Sequence, residues 1–150
     1  MAMEIDKEIL EDFKKESKGL LDELMEVVDR IEDSADAKEF PSKLLEEFAQ
    51  KIDRIMGAAN TIGMFAPNHL GLQRIGKIAE LCKRVGYKAA EKKKISLLPI
   101  FAAFWGDTLE VFGDLIKFLE DEKKSEEIAK SFSQVLQSRL EWLVKKVSTE

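Results

Sequence analysis

An all-α fold, an antiparallel four-helix bundle with an additional fifth helix, is what this sequence predicts, and three observations predict it. Apolar residues recur at spacings of three, four and seven through five long stretches, the period of one helix face. The 150 residues are 45% hydrophobic and 35% charged with only three prolines, a mixture that suits amphipathic helices and not disorder. Glu, Lys, Leu, Ile and Ala dominate, whereas a sheet protein carries more Val, Thr, Tyr and turn chemistry. The length suits a single domain over 1–150 with a substantial core.

The first helix is expected from about Ile5 to Glu32, with Ile9, Phe13, Leu20, Leu21, Leu24, Val27, Val28 and Ile31 as its apolar stripe. A polar connection, DSADAKEF, leads to Pro41, which fits the first turn of a second helix over 41–65. Ser42 is an alternative cap. Ala-Pro-Asn-His at 66–69 is the break, because Pro67 cannot continue the hydrogen-bond ladder. Asn68 is then the expected cap of a third helix from His69 to Lys92, lined by Leu72, Ile75, Ala79, Cys82 and Ala89. Glycines at 71, 76 and 86 suggest close helix approach, or a kink at one of them. The fourth helix, 97–120, is apolar around most of its circumference, and Phe101, Phe104, Trp105 and Phe112 place it inside the bundle. A fifth helix over 125–147, capped by Ser125, buries Ile128, Phe132, Val135, Leu136, Leu143 and Val147. Trp142 falls outside that seam, either as a half-exposed contact residue or absorbed by a wide core face.

The single cysteine, Cys82, forms no internal disulfide, which suits a reducing cytosol. No apolar run approaches 18 residues, so no membrane insertion is expected. The N-terminal MAMEIDKEIL lacks a signal-peptide core, and the expected location is cytoplasmic. A net charge of −5 disfavours nucleic acid as the main partner. Charge is uneven: residues 4–39 hold 14 acidic and 6 basic residues, residues 74–94 hold 2 and 8. Either the acidic and basic helices pack side by side, or the asymmetry steers a partner.

The stretch that carries function is Glu46–Met64, EEFAQKIDRIMGAANTIGM. Phe48, Ile52, Ile55, Ala59 and Ile62 take one side, while Asp53, Met56 and Gly57 share another face at i, i+3 and i+4. Gly57, Ala58, Ala59, Thr61, Ile62 and Gly63 resemble the core signature of histidine-containing phosphotransfer (HPt) domains, His-x-x-Lys-Gly-(Ser/Ala)-Ala-x-x-x-Gly. The FKKESKGLLDELMEVVDRIE segment is similar to the opening helix of the phosphotransfer domain of chemotaxis histidine kinases. Two chemical positions differ: Asp53 stands at the phosphoaccepting histidine and Met56 at the lysine. In that family the histidine takes a phosphoryl group from a receiver-domain aspartyl phosphate, the lysine holds the phosphoryl oxygens, and the glycine leaves the space bare.

Asp53 does not replace an imidazole, which offers a neutral nitrogen nucleophile near physiological pH. A lone exposed carboxylate has neither the metal nor the cation an acyl phosphate needs, and Met56 removes the family's cation. The only histidine, His69, reads as a surface or cap-region residue. One His and one Cys build no usual zinc site, and no Gly-rich phosphate loop follows a strand. No enzyme activity, catalytic residue, metal or cofactor is therefore expected.

The resemblance implies a non-phosphorylatable HPt-like module of two-component or chemotaxis signalling. Its partner would be a response-regulator receiver domain or a histidine kinase, docked on Gln50, Asp53, Met56, Gly57 and Asn60. One alternative is a receiver aspartyl-phosphate phosphatase using Asp53 with Gln50 or Asn60. The other is a helical-bundle assembly protein. Gly57 discriminates: exposure beside Asp53 favours docking, burial favours helix packing.

Overall fold

The computed structural model describes residues 6–34 and 39–148. It holds α1 (Lys7–Asp33), α2 (Ser42–Gly63), α3 (Leu70–Lys92), α4 (Leu98–Lys117), α5 (Glu122–Ala129) and α6 (Phe132–Ser148), with a 3-10 turn (Ile95–Leu97) before α4. The expected start at Ile5 and part of the connection before Pro41 lie outside the described residues. The chain is all-α, with no strand among the described residues.

Helix α1 starts where the Asp6 carboxylate accepts from the Glu8 backbone N–H at 2.8 Å, satisfying one of the donors a helix start leaves open. Its buried stripe runs through Leu10, Phe13, Leu20, Leu24, Val27, Val28 and Ile31. Leu10 takes the place expected of Ile9, which is exposed. α1 lies beside α2 and α4, α2 beside α3, and α3 beside α6. Cross-helix pairs give the directions. Glu23 meets Lys51 and Glu16 meets Arg54, so α1 runs antiparallel to α2; Lys14 meets Glu120, just past the end of α4.

The acidic and basic helices do not pack side by side, because α3 is not among the neighbours of α1. Helix α2 separates them and offers charge to both. Lys51 and Arg54 face the carboxylates of α1 at 3.6 and 3.5 Å, and Asp53 faces Lys83 of α3. These are half-exposed pairs, worth little individually.

Helices α2 and α3 approach closely at glycine. A Cβ at Gly86 would stand 2.9 Å from the Ala49 Cβ and 3.2 Å from the Leu45 carbonyl oxygen, and one at Gly76 2.7 Å from Asn60 Oδ1. At Gly71 the obstacle is the His69 ring, 2.9 Å away. Close helix approach, the first of the two readings of these glycines, therefore holds at Gly86, where the backbone of α2 is in the way; at Gly76 the obstacle is the end of the Asn60 side chain, and at Gly71 mainly the cap of α3 itself.

His69, read from the sequence as a surface or cap-region residue, is the cap of α3 in place of Asn68, and it is buried. Its Nδ1 accepts from Leu72 N–H at 3.1 Å, while Nε2 lies 2.8 Å from the Leu119 carbonyl. A nitrogen that accepts and another that must donate define the neutral Nε2–H tautomer. One side chain thus closes the start of α3 and ties it to the α4–α5 turn. Replacing His69 by alanine orphans a buried N–H and a carbonyl. We expect a loss of about 1–3 kcal/mol in urea unfolding with an unchanged m-value.

Helix α4 is central. Trp105 lies flat on Phe48 of α2, with ring centroids 3.9 Å apart and planes at 6°, and also stacks on Phe101 at 5.7 Å. Phe101, Trp105 and Phe112 are fully buried. Phe104 is only partly buried and meets half-exposed Trp142 edge-on at 6.5 Å. The sequence expectation that nothing is apolar enough to span a bilayer needs correction: Ile95–Lys117 reaches a mean hydropathy of 1.4 over 18 residues, although half of that window is buried inside the bundle.

The expected fifth helix is two helices. Asp121, not Ser125, caps α5 through Lys124 N–H at 3.0 Å. Ser42 likewise caps nothing, because its hydroxyl donates to the Ala90 carbonyl. Ser131 Oγ donates to the Ile128 carbonyl, and Ser133 Oγ to the carbonyls of Ile128 and Ala129. Hydroxyls that engage the final carbonyls of α5 compete with the backbone ladder there. The break shifts the buried face to Ser133, Leu136, Leu140, Leu143 and Val147. Phe132 and Val135, expected inside, point outward instead.

Cys82 is fully enclosed, 3.7 Å from Thr108 Oγ1, and burial pushes its thiol pKa up to about 12. The thiol is the unreactive form at any pH well below that value. Ellman's reagent at about pH 8 is therefore expected to leave the native chain unmodified and to titrate one thiol once the chain is unfolded.

Candidate functional site

Helix α2 buries Leu45, Phe48, Ala49, Ile52, Ile55, Ala59 and Ile62. This leaves Gln50, Asp53, Gly57 and Asn60 along the other side at spacings of three, four and three, which align on one ridge. Gln50, Gly57 and Asn60 are exposed and Asp53 is half-exposed. A Cβ at Gly57 would meet nothing within 4 Å. No neighbouring helix requires glycine there, so the packing explanation of Gly57 does not hold. Met56 is different: it is partly buried and packs against the core.

Asp53 is not a lone carboxylate, as the sequence had suggested. Lys83 Nζ reaches across from α3 to 3.0 Å from Asp53 Oδ1, with both side chains about half accessible. The cation missing at Met56 thus arrives from another helix. No spacing rule within a single helix reports that partner. Only the antiparallel register of α2 and α3 does, the register that also sets Gly86 against Ala49 and Gly76 against Asn60.

Asn60 projects over α3, its Oδ1 lying against the backbone of Gly76. Thr61 Oγ1 donates to the Gly57 carbonyl at 2.9 Å. Beyond Asn60, a cleft of about 270 Å³ opens among Asn60, Gly63, Met64, Ala66 and Leu72. Met64 is 80% exposed and Phe65 59% exposed beside it. The ridge is therefore polar and bare at Gly57 and ends on an apolar step. Among the described residues, no three His, Cys, Asp or Glu side chains gather as a metal ion would need. Both ring nitrogens of His69 are engaged in the interior, away from the ridge.

Set against known protein families, curated proteins and solved structures, the chain matches none of them. What the ridge does must then be argued from its chemistry.

Proposed function

We propose that this chain is a non-phosphorylatable HPt-like module, cytoplasmic, that docks a receiver domain or a histidine kinase through the α2 ridge without carrying phosphate. In this reading α1 to α4 correspond to the four-helix bundle of that family, and α5 with α6 to its additional helix. The observation that carries the proposal is Gly57. An exposed glycine in the middle of a helix costs roughly 1 kcal/mol relative to alanine, and nothing in this fold requires it. A partner surface that comes within contact distance of the α2 backbone would require it, and Gly57 differs from the equally open Gly19, Gly106 and Gly113 in lying beside Asp53 on the ridge.

Asp53 in place of the histidine, held by Lys83, offers a partner hydrogen-bonding and charge but no neutral nitrogen nucleophile. The phosphatase alternative, Asp53 with Gln50 or Asn60, has Asn60 Oδ1 beside Gly76 and Gln50 exposed on the same ridge, and the assay below separates it from docking.

The test is incubation of the chain with a panel of phosphorylated receiver domains, following phosphate on both proteins together with complex formation. Binding with no label on this chain and unchanged receiver decay is the expected result. Decay accelerated by the wild type and not by Asp53→Ala would establish the phosphatase instead. Stable label on this chain, or no binding across the panel, would overturn the proposal.

A further inference from the structure

On the α6 side of α3, away from the ridge, a cleft of about 500 Å³ opens where α3 meets the end of α5 and the start of α6. Its polar walls are Gln73, Arg74, Lys130, Gln134 and Gln137. Two of these are cations, and no carboxylate lines the cleft although the chain has 29 acidic residues and a net charge of −5.

Arg74 is the unusual member. The other four arginines are exposed, and each has an evident counterpart. Arg30 pairs with Glu26, Arg54 with Glu16 and Arg84 with Glu80, and Arg139 lies over the Phe132 ring at 5.6 Å. Arg74 alone is half-buried, and its one partner among the described residues is a neutral amide, Gln137 Oε1, to which Nη1 donates. Partial burial draws its pKa below the ordinary arginine value, the direction for a cation removed from water with no anion beside it.

A guanidinium carries five N–H donors in a planar fork that matches an oxyanion bidentately, and Gln137 occupies only one edge of it. Because the Gln137 oxygen accepts from Arg74, its NH₂ group remains to donate outward. Lys130 adds a second positive charge, shared with Glu126 at 2.7 Å. Leu70 and Ala129 give the mainly polar cleft a small apolar portion.

We propose that this cleft binds a small carboxylate- or phosphate-bearing metabolite, with its oxyanion on the fork of Arg74 and amide hydrogen bonds from Gln134 and Gln137. Gln73 also lines the cleft at the end of the α2 ridge, but Arg74, Lys130, Gln134 and Gln137 do not, so receiver docking and oxyanion binding are tested separately.

The experiment is a ¹H–¹⁵N NMR titration of the full chain with inorganic phosphate and, in a parallel arm, succinate, each at ionic strength held constant with chloride. Saturable shifts are expected at the side-chain amides of Gln134 and Gln137 and at Arg74 Nε, with apparent Kd in the millimolar range or below. Arg74→Gln should weaken binding by about tenfold or more, and Lys130→Gln, at an exposed position, by less. Lys77→Gln, on α3 outside the cleft, should leave it unchanged. Saturation with phosphate alone assigns phosphate-bearing ligands, with succinate alone carboxylates, and with both the oxyanion class as a whole. No saturation by about 50 mM, shifts spread over all basic residues of α3, or equal binding by Arg74→Gln and Lys130→Gln would overturn the proposal.

Discussion

Replacing Trp105 with alanine is expected to lower the unfolding free energy by about 3–5 kcal/mol, the range for removing a large aromatic from a packed core. Trp105 is fully buried between Phe48 and Phe101 and joins α4 to α2, two helices that are not otherwise neighbours. Truncation deletes the stacking partner of Phe48 and leaves a cavity that rigid neighbours on two helices cannot collapse into. Against a typical total of roughly 5–15 kcal/mol, the variant stays folded only narrowly. Trp105→Phe should cost much less. The buried Trp105 Nε1–H has no hydrogen-bond partner among the described residues, and removing an unsatisfied donor recovers about 1–3 kcal/mol against the lost apolar contact. Guanidinium unfolding of both variants checks the pair. A loss below about 1 kcal/mol for Trp105→Ala would show that the α2–α4 stack is not a structural centre.

Substitution at Gly57 is expected to separate stability from docking. Gly57→Ala should raise stability by about 1 kcal/mol and Tm by about 2–4 °C, because the added Cβ enters open space and the helix loses its least favourable residue. Gly57→Tyr should also fold normally. In a receiver-binding assay, however, it should lower affinity by about 100-fold, close to 2.7 kcal/mol, since the ring would stand where a partner approaches the α2 backbone. Calorimetry measures both effects on one sample set. Unchanged receiver affinity in the tyrosine variant would remove the ridge from the docking surface.

These two outcomes also separate what is local from what is not. Periodicity alone located the helices, because a 3.6-residue repeat of apolar side chains reflects burial of one face whatever covers it. Phe101, Trp105 and Phe112 were legible as core in this way, and Gly76 and Gly86 pointed to the tight α2–α3 approach. The break between α5 and α6 was less legible. The stripe through Leu136, Leu140, Leu143 and Val147 is present in the sequence, but hydroxyl-to-carbonyl bonds at Ser131 and Ser133 decide where the helix stops. Their strength depends on what each serine is packed against.

By itself the sequence determined that this chain is all-helical and that α4 is its most apolar element, and it put Gln50, Asp53, Met56, Gly57 and Asn60 on one side of a helix, from which packing withdraws Met56. Tertiary structure alone decided that α1 and α3 are not neighbours, that Lys83 answers Asp53, that His69 is an interior cap, and that Arg74 faces a cleft without a carboxylate. The physical reason is the range of the interaction. Helix periodicity is repeated within a few residues along one segment. A charge pair or a cleft depends on which residues of separate helices come level with each other, and packing sets that register across intervals of 30 to 63 residues.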